Sequence, residues 1–394
     1  MSRGLGECHR MKKMHVLLWM WSALAFSSHV MAQMPTTPSG EPSAPDQWLL
    51  SNGREWHHKT DVSPTPLELK ARAPTTSEAV LIKRAQDILQ SSSTKFMALM
   101  DGSDLVWSAA KTPLPENRRL FSMSMGKTVT SLAVGAAICD QKITLKTLVT
   151  EFVPELNGTD LGKSTVKDLL TMSSGVWGGY PDSRIYKAEE ENALNAGSLS
   201  MLDVLKREKV AAYPKTVFGD SAKAGAKFEY KSTDPLLLGV ILNRSTQMKF
   251  AQWVEQSVLL PAGIKRPAII AQDRLGFGHS DAGIRMFAED WIRFAVWVNQ
   301  KQKSEGCLGD YIREASKTQI QVKTTPTAHL GYGYFIWTED KLAPKSYWAA
   351  GYAGQRLAWN PNNNRMLVVF SNDARAMDQV SALYRDWSAV DVAK

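Results

Sequence analysis

Strand-like runs stand at both ends of this sequence, and helical patterns fill the middle. After a helical run at residues 78–90, "EAVLIKRAQDILQ", come "KFMALM" and "DLVWSA", joined by the turn "DGS". From Ser122 to about Ile320 helical spacing dominates, broken by Gly- and Pro-marked loops. Strand character returns in "GYGYFIW", "SYWAAGYAG", "QRLAWN" and "RMLVVFSN". The Pro361–Asn364 stretch between the last two is a hairpin signal. A helical run, "MDQVSALYRDWSAV", closes the chain. One antiparallel sheet built from both chain ends accounts for this order. Helices flank it, and an all-helical region is inserted at about residues 121–320, giving an α+β fold. A cleft between sheet and insert is the expected place for a site.

Residues 1–32 read as a secretory leader. "MKKM" supplies positive charge, and Met11 is a candidate start. The apolar run His15–Phe26 is too short to span a bilayer comfortably, and Val30-Met31-Ala32 offers a small-residue cleavage site. The expected location is therefore periplasmic or secreted, with membrane contact only through an uncleaved leader. Residues 33–75 form a linker or extension, rich in Pro, Ser and Thr over 33–47, and the main domain is expected at 76–394. The net charge is +8, of which the leader carries +3. The remaining +5 is spread without a dense basic run, so a nucleic-acid partner is not expected. No Cys/His spacing suits a metal and no glycine loop suits a phosphate, so neither metal nor cofactor is expected. Cys139 and Cys307 could pair in an oxidising compartment. The apolar run "SLAVGAAIC" favours instead a Cys139 that packs as a small hydrophobe.

Four Ser-x-x-Lys matches occur, at Ser92, Ser108, Ser124 and Ser164. Ser92 has no helix behind it. Ser108 ends a strand and is followed by "KTPLP", which blocks a helix. Ser164, in "GKSTVKDLL", is expected to be a helix N-cap. Behind Ser124 runs "MGKTVTSLAVGAAI", a long apolar helical pattern. Position i+3 of a helix shares a face with position i, so Lys127 can lean toward Ser124 Oγ. First-turn N–H groups lack intrahelical partners and can steady a developing oxyanion. Two readings stay open on this stretch alone: a nucleophile with its base, or a capping serine beside a solvated lysine.

The rest of the chain extends the pattern. "SMGK" is followed by "ITLKTLVTEFVPEL" and "VKDLLTMSSGV", then by "FEYKSTDPLLLGVIL", then by "GYGYFIW" and "AAGYAGQRLAWNP". In order and spacing, over roughly residues 78–390, the sequence resembles the serine β-lactamase and penicillin-recognising family. That family includes class C β-lactamases, DD-peptidases, related esterases and 6-aminohexanoate-dimer hydrolases. The resemblance implies Ser124 as the acyl-accepting nucleophile, Lys127 as its base and Tyr230 as the second acid/base group. It implies Ser232 as a substrate- or lysine-holding residue, and the backbone N–H groups of Ser124 and Gln355 as the oxyanion hole. Tyr352-Ala353-Gly354 falls where the family's Lys-Thr-Gly would stand, with Gly354 allowing close approach of a substrate carbonyl and Tyr352 lining the cleft. Tyrosine cannot supply the missing cation, which weighs against β-lactams and D-Ala-D-Ala as substrates. Arg356 is a candidate replacement, though as the next strand residue it is expected to point away. Trp177 and Tyr180, after the "SSG" turn, would overhang the cleft. "GHSDAG" at 278–283 mimics a nucleophile elbow but lacks its spacing and is expected to be structural. The expected activity is hydrolysis of small amides or esters. A ligand-binding or sensor protein of the same fold, or a true β-lactamase or DD-peptidase, are the rivals.

Overall fold

The computed structural model describes residues 56–114, 116–176, 193–194, 197–207, 223–323 and 328–390. All of them lie in one compact unit, residues 44–394. Strands are numbered in chain order. A small sheet runs His57–Lys59 (β1), Ile269–Ala271 (β6), Ile284–Met286 (β7) and Leu120–Phe121 (β5) in space. The main sheet has nine strands. Its spatial order is Lys70–Ala71 (β2), Asp104–Ala110 (β4), Thr94–Asp101 (β3), Arg365–Ser371 (β13), Gln355–Asn360 (β12), Tyr347–Gly351 (β11), Trp337–Asp340 (β10), His329–Tyr332 (β9) and Ile320–Gln321 (β8).

The two chain ends meet at β3 and β13, where Ala98 faces Val368 in antiparallel register. Apart from the parallel β2–β4 edge, every pairing in this sheet is antiparallel. The inserted region is largely helical, but it also contributes β6 and β7 to the small sheet. "GYGYFIW", expected to be one strand, is a hairpin bend instead. β9 ends at Tyr332, Phe335 takes a φ of 54°, and β10 begins at Trp337.

Every residue of β13 is buried. Successive strand side chains point to opposite faces, so both faces of the sheet are covered there. Helix α1 (Thr76–Ser91) and the C-terminal helix supply part of the cover. Trp387 donates from Nε1 to the Met100 carbonyl, and Trp291 packs on Phe370 at 5.8 Å. The seam also holds charge. Arg365 Nη1 lies 2.5 Å from Glu78 Oε1, and Arg72 reaches Glu78 at 2.6 and 2.8 Å and Asp101 at 2.7 Å. Glu78 is fully buried and accepts from the Thr75 N–H at the head of α1.

Helix α2 (Gly126–Cys139) is buried along nearly its whole length. A disulfide joins its last residue, Cys139, to Cys307, the first residue of a helix ending at Ala315. This corrects the expectation that Cys139 packs as a free thiol: an apolar run decides burial, but a distant partner decides pairing. Closing a loop of 168 residues stabilises the fold by about 5 kcal/mol in a chain-entropy account. Thr165, not Ser164, caps the helix Val166–Leu170 by accepting from the Asp168 N–H. Ser164 is buried and donates to the Ser174 carbonyl.

Candidate active site

Ser124 sits where a strand turns into α2. Strand β5 is held by β7, and the next residue, Ser122, extends that ladder by donating its N–H to the Ile284 carbonyl at 2.9 Å. Its Oγ donates to the Ala282 carbonyl at 2.7 Å. Met123 then takes a φ of 47°, a conformation that costs a side-chain-bearing residue on the order of 1 kcal/mol. A short 3₁₀ turn, Met123–Met125, carries Ser124 into the helix. Gly126 is needed for close packing. A Cβ there would lie 3.0 Å from Ser122 Oγ and 3.4 Å from the Ala282 carbonyl carbon.

Lys127 is buried, yet its amine reaches the half-buried Ser124. Nζ lies 2.9 Å from Ser124 Oγ and 2.9 Å from the Asp281 carbonyl oxygen. No carboxylate among the described residues pairs with it. Asp281 belongs to the 278–283 loop. Thr130 Oγ1 donates to the Ser280 carbonyl at 2.6 Å, and Ser280 Oγ donates to the Pro235 carbonyl at 2.7 Å. The loop is thus a wall that fixes the amine through a main-chain carbonyl. No side-chain pattern could have announced that contact.

Tyr230 precedes a third helix, α3 (Thr233–Thr246). The Lys127 amine lies 5.1 Å from the centroid of its ring. The ring stacks on Trp337 at 5.4 Å and meets Tyr332 edge-on at 6.4 Å. A hydroxyl, an amine and an aromatic ring from two distant stretches therefore meet. Ser232 caps α3 through its backbone only; its hydroxyl makes no hydrogen bond among the described residues. Behind it Lys231 and Asp234, both fully buried, lie 3.8 Å apart. Asp234 accepts from Ser174 Oγ at 2.6 Å, which ties the "SSG" turn to the base of Tyr230. Burial pushes the Asp234 carboxyl up to about 6, against the pull of Lys231 and Ser174.

The β11–β12 hairpin is built differently from the expectation. Tyr352-Ala353-Gly354 is the turn itself, and Gly351 pairs with Gln355 across it. A Cβ at Gly351 would stand 2.6 Å from the Ser122 carbonyl oxygen and 3.0 Å from Met123 Cβ. A Cβ at Gly354 would instead meet the Asp373 carbonyl oxygen at 2.6 Å, away from Ser124. Gly351 is thus the glycine against which the Ser124 segment packs, and the strand residues before it are Ala349 and Ala350. The Gln355 side chain is a strut, donating to the Tyr352 and Ser371 carbonyls at 2.9 and 2.8 Å. Two glycines three residues apart fit one motif equally well, and only strand register separates them. Tyr352 is 48% exposed at the rim. Trp177 and Tyr180 lie outside the described residues.

Arg356 stands on the strand after the hairpin, paired with Ala350. Its Nη1 donates to the Gly351 carbonyl at 2.7 Å and the Gln355 carbonyl at 2.8 Å. Partial burial pushes its guanidinium down to about 10, opposed by the attraction of Tyr230 and Asp340. His329 stacks on Trp337 at 5.4 Å. Burial, with Arg356 and Lys341 nearby, pushes the His329 imidazole down to about 3 and keeps it neutral at pH 7. No group of three or more His, Cys, Asp or Glu among the described residues is arranged to hold a metal ion.

Comparison with known proteins agrees with this architecture. A 6-aminohexanoate-dimer hydrolase of Paenarthrobacter ureafaciens is 24% identical over 274 residues, 66% of this chain and 68% of its own. A Bacillus anthracis protein assigned as a 6-aminohexanoate-dimer hydrolase superposes with a TM-score of 0.64 at 17% identity, over 86% of this chain and 92% of its own. EstCE1, a hydrolase with promiscuous acyltransferase activity, gives a TM-score of 0.61 at 16% identity, over 80% and 100%. The model of the Beta-lactamase family matches residues 94–391, and the chain belongs to that family.

Proposed function

We propose that this protein is an exported serine hydrolase that opens small amides or esters through an acyl-enzyme on Ser124. The 2.9 Å contact between Lys127 Nζ and Ser124 Oγ, beside the Tyr230 ring, carries the reading. Ser124 Oγ attacks the carbonyl carbon as its proton passes to the Lys127 amine, which the Asp281 carbonyl holds in place. The oxyanion would sit between the backbone N–H of Ser124 and that of Tyr352, the residue following Gly351, in preference to that of Gln355. Tyr230 hands a proton to the leaving amine or alcohol. Water then attacks the acyl-enzyme and releases the acid. The names of the relatives support hydrolysis, and the disulfide and the leader composition support an oxidising, extracytoplasmic setting.

Ala349-Ala350-Gly351 supplies no lysine beside the nucleophile, so true β-lactamase action ranks below amidase or esterase action. Nitrocefin turnover is accordingly expected to be slow or absent, and efficient cleavage would overturn that ranking. The main test is intact-mass analysis with peptide mapping after incubation with a 4-nitrophenyl ester. An acyl adduct on the peptide containing Ser124, absent in Ser124→Ala, supports the reading. Hydrolysis at equal rates by both proteins removes Ser124 from the chemistry and favours a binding protein of the same fold.

A further inference from the structure

The Tyr230 hydroxyl makes no hydrogen bond among the described residues. Its ring is held by faces and edges alone: Trp337 stacked at 5.4 Å, Tyr332 edge-on at 6.4 Å and the Lys127 amine at 5.1 Å. Ring contacts of this kind are broad in angle and tolerate sliding. The aim of the phenol is therefore left to the backbone from Phe228 to Ser232. No helix or strand holds that backbone, since regular structure begins only at Thr233.

Three fixings pin it. Phe228 is buried and packs on Tyr332 at 5.0 Å. The Glu229 N–H donates to the Met172 carbonyl at 2.8 Å. One residue past the phenol, the Lys231 side chain is fully buried and ends 3.8 Å from Asp234 Oδ2. Asp234, also fully buried, accepts from Ser174 Oγ at 2.6 Å and from the Ser174 N–H at 3.4 Å. As a device for stability this last fixing is poor. Lys231 Nζ makes no hydrogen bond, and the Thr233 hydroxyl is likewise buried without a partner. Asp234 lies in the first turn of α3, where helix N–H groups favour an anion. A lysine just ahead of that turn meets the same field with the wrong sign. A buried ion pair with an unfilled donor gives a fold no more than packed apolar side chains would. What it does supply is direction. The amine has one acid within ion-pair reach among the described residues. Reaching that acid draws residue 231 into the core, while Tyr230 stays half-buried beside Lys127.

We propose that Lys231 and Asp234 are positioning residues: their buried pair, braced on Ser174, sets the backbone that aims the Tyr230 phenol at the leaving group. Both act through Tyr230. The proposal rests on the hydrolase reading for its chemistry, but the aim of the ring can be read without turnover. Two separate fixings then serve the site: the Asp281 carbonyl holds the Lys127 amine, and the Lys231–Asp234 pair holds the phenol.

The test variant combines Lys231→Met with Asp234→Asn, which removes both charges together and leaves an acceptor for Ser174. Two esters of one acid are compared, ethyl butyrate and 4-nitrophenyl butyrate. The nitrophenolate leaves without a proton, whereas the alkoxide needs one from Tyr230. The variant should lose about 30-fold in kcat/KM on the ethyl ester, within the 100-fold or so that a misplaced group costs, and less than about threefold on the nitrophenyl ester. Added to Tyr230→Phe, the same two changes should cost the ethyl ester less than about threefold more. Equal loss on both esters, no loss on the ethyl ester, or the full loss repeated in Tyr230→Phe each overturns the proposal. Ser174→Ala removes one brace and keeps both charges. It should show the same split at about fivefold, and it decides the matter if the double variant does not fold. Equal loss on both esters there also overturns the proposal. The ring is read directly by NMR in Ser124→Ala protein carrying carbon-13 at tyrosine Cζ, with the Tyr230 signal identified by its loss in Tyr230→Phe. The double change should move that signal and leave in place that of Tyr384, which packs on Trp348 at 5.2 Å. A Tyr230 signal that stays put overturns the proposal. A wild type that forms no Ser124 adduct sinks the hydrolase reading alone, and the NMR signal still decides the aim of the ring.

Discussion

The sheet seam and the cleft both bury basic side chains, and they treat them in opposite ways. At the seam Arg72 and Arg365 converge on Glu78 and Asp101, so each cation has an acid within hydrogen-bond reach. In the cleft the Lys127 amine meets the Ser124 hydroxyl, the Asp281 carbonyl and the Tyr230 ring, and no carboxylate among the described residues. Burying a charge is costly unless it is paired. The seam spends its acids on holding the chain ends together. The cleft leaves the Lys127 amine without an acid, so it stays available to Ser124.

Four changes would break or sharpen that contrast. The largest effect is expected on the cleft side. Ser124→Ala and Lys127→Met should each lower nitrophenyl-ester kcat/KM by at least about 1,000-fold, while urea unfolding shows no loss of stability in Lys127→Met. A Lys127→Met protein that unfolds early would show that the amine serves the fold. The seam should behave in reverse. Glu78→Ala leaves a buried Arg365 without its acid, so stability should fall by about 3–5 kcal/mol with activity per folded molecule retained. Activity that vanishes before unfolding would instead couple the seam to the cleft.

The third change uses pH. Hydrogen bonds from Arg72, outweighing burial, hold Glu78 well below the usual carboxylate range. Its stabilisation is present above its ordinary value of 4.5 and is lost as pH falls toward its lowered folded value. Asp234 has the opposite sign. Its carboxyl is raised from 3.8 to about 6, so the folded state holds an extra proton in that window and stability from this group falls as pH rises through it. Relative to Asp234→Asn, wild type should lose up to about 3 kcal/mol between pH 4 and pH 6.5. A pH-independent difference in urea midpoints would place the titration elsewhere. The smallest effect on activity is expected at the disulfide. Cys139→Ala with Cys307→Ala should cost about 2–5 kcal/mol, at the lower end if the unfolded chain keeps structure, and should spare the Ser124–Lys127 contact. Activity lost in step with stability would be the contrary result.

Much of this was legible in the residues. The seam strands were apparent because both are continuous apolar runs bounded by turns, and α2 because its apolar spacing starts at a serine. Among four Ser-x-x-Lys matches, the helix behind Ser124 selected the one whose lysine amine lies 2.9 Å from its serine hydroxyl. The hairpin register was not legible, because "GYAG" offers two glycines that fit the motif. The Cys139–Cys307 bond was not legible either, since burial of one cysteine says nothing of a partner 168 residues away.

The sequence by itself determined what lies within one turn: a serine and a lysine on one helical face, since spacing along a helix fixes direction. Tertiary structure alone decided what surrounds that pair. The Asp281 carbonyl, the Tyr230 ring and Gly351 arrive from three separate segments, and strand register and helix packing set their places. Local geometry is written in short-range sterics, whereas contacts between remote segments exist only after the core has closed.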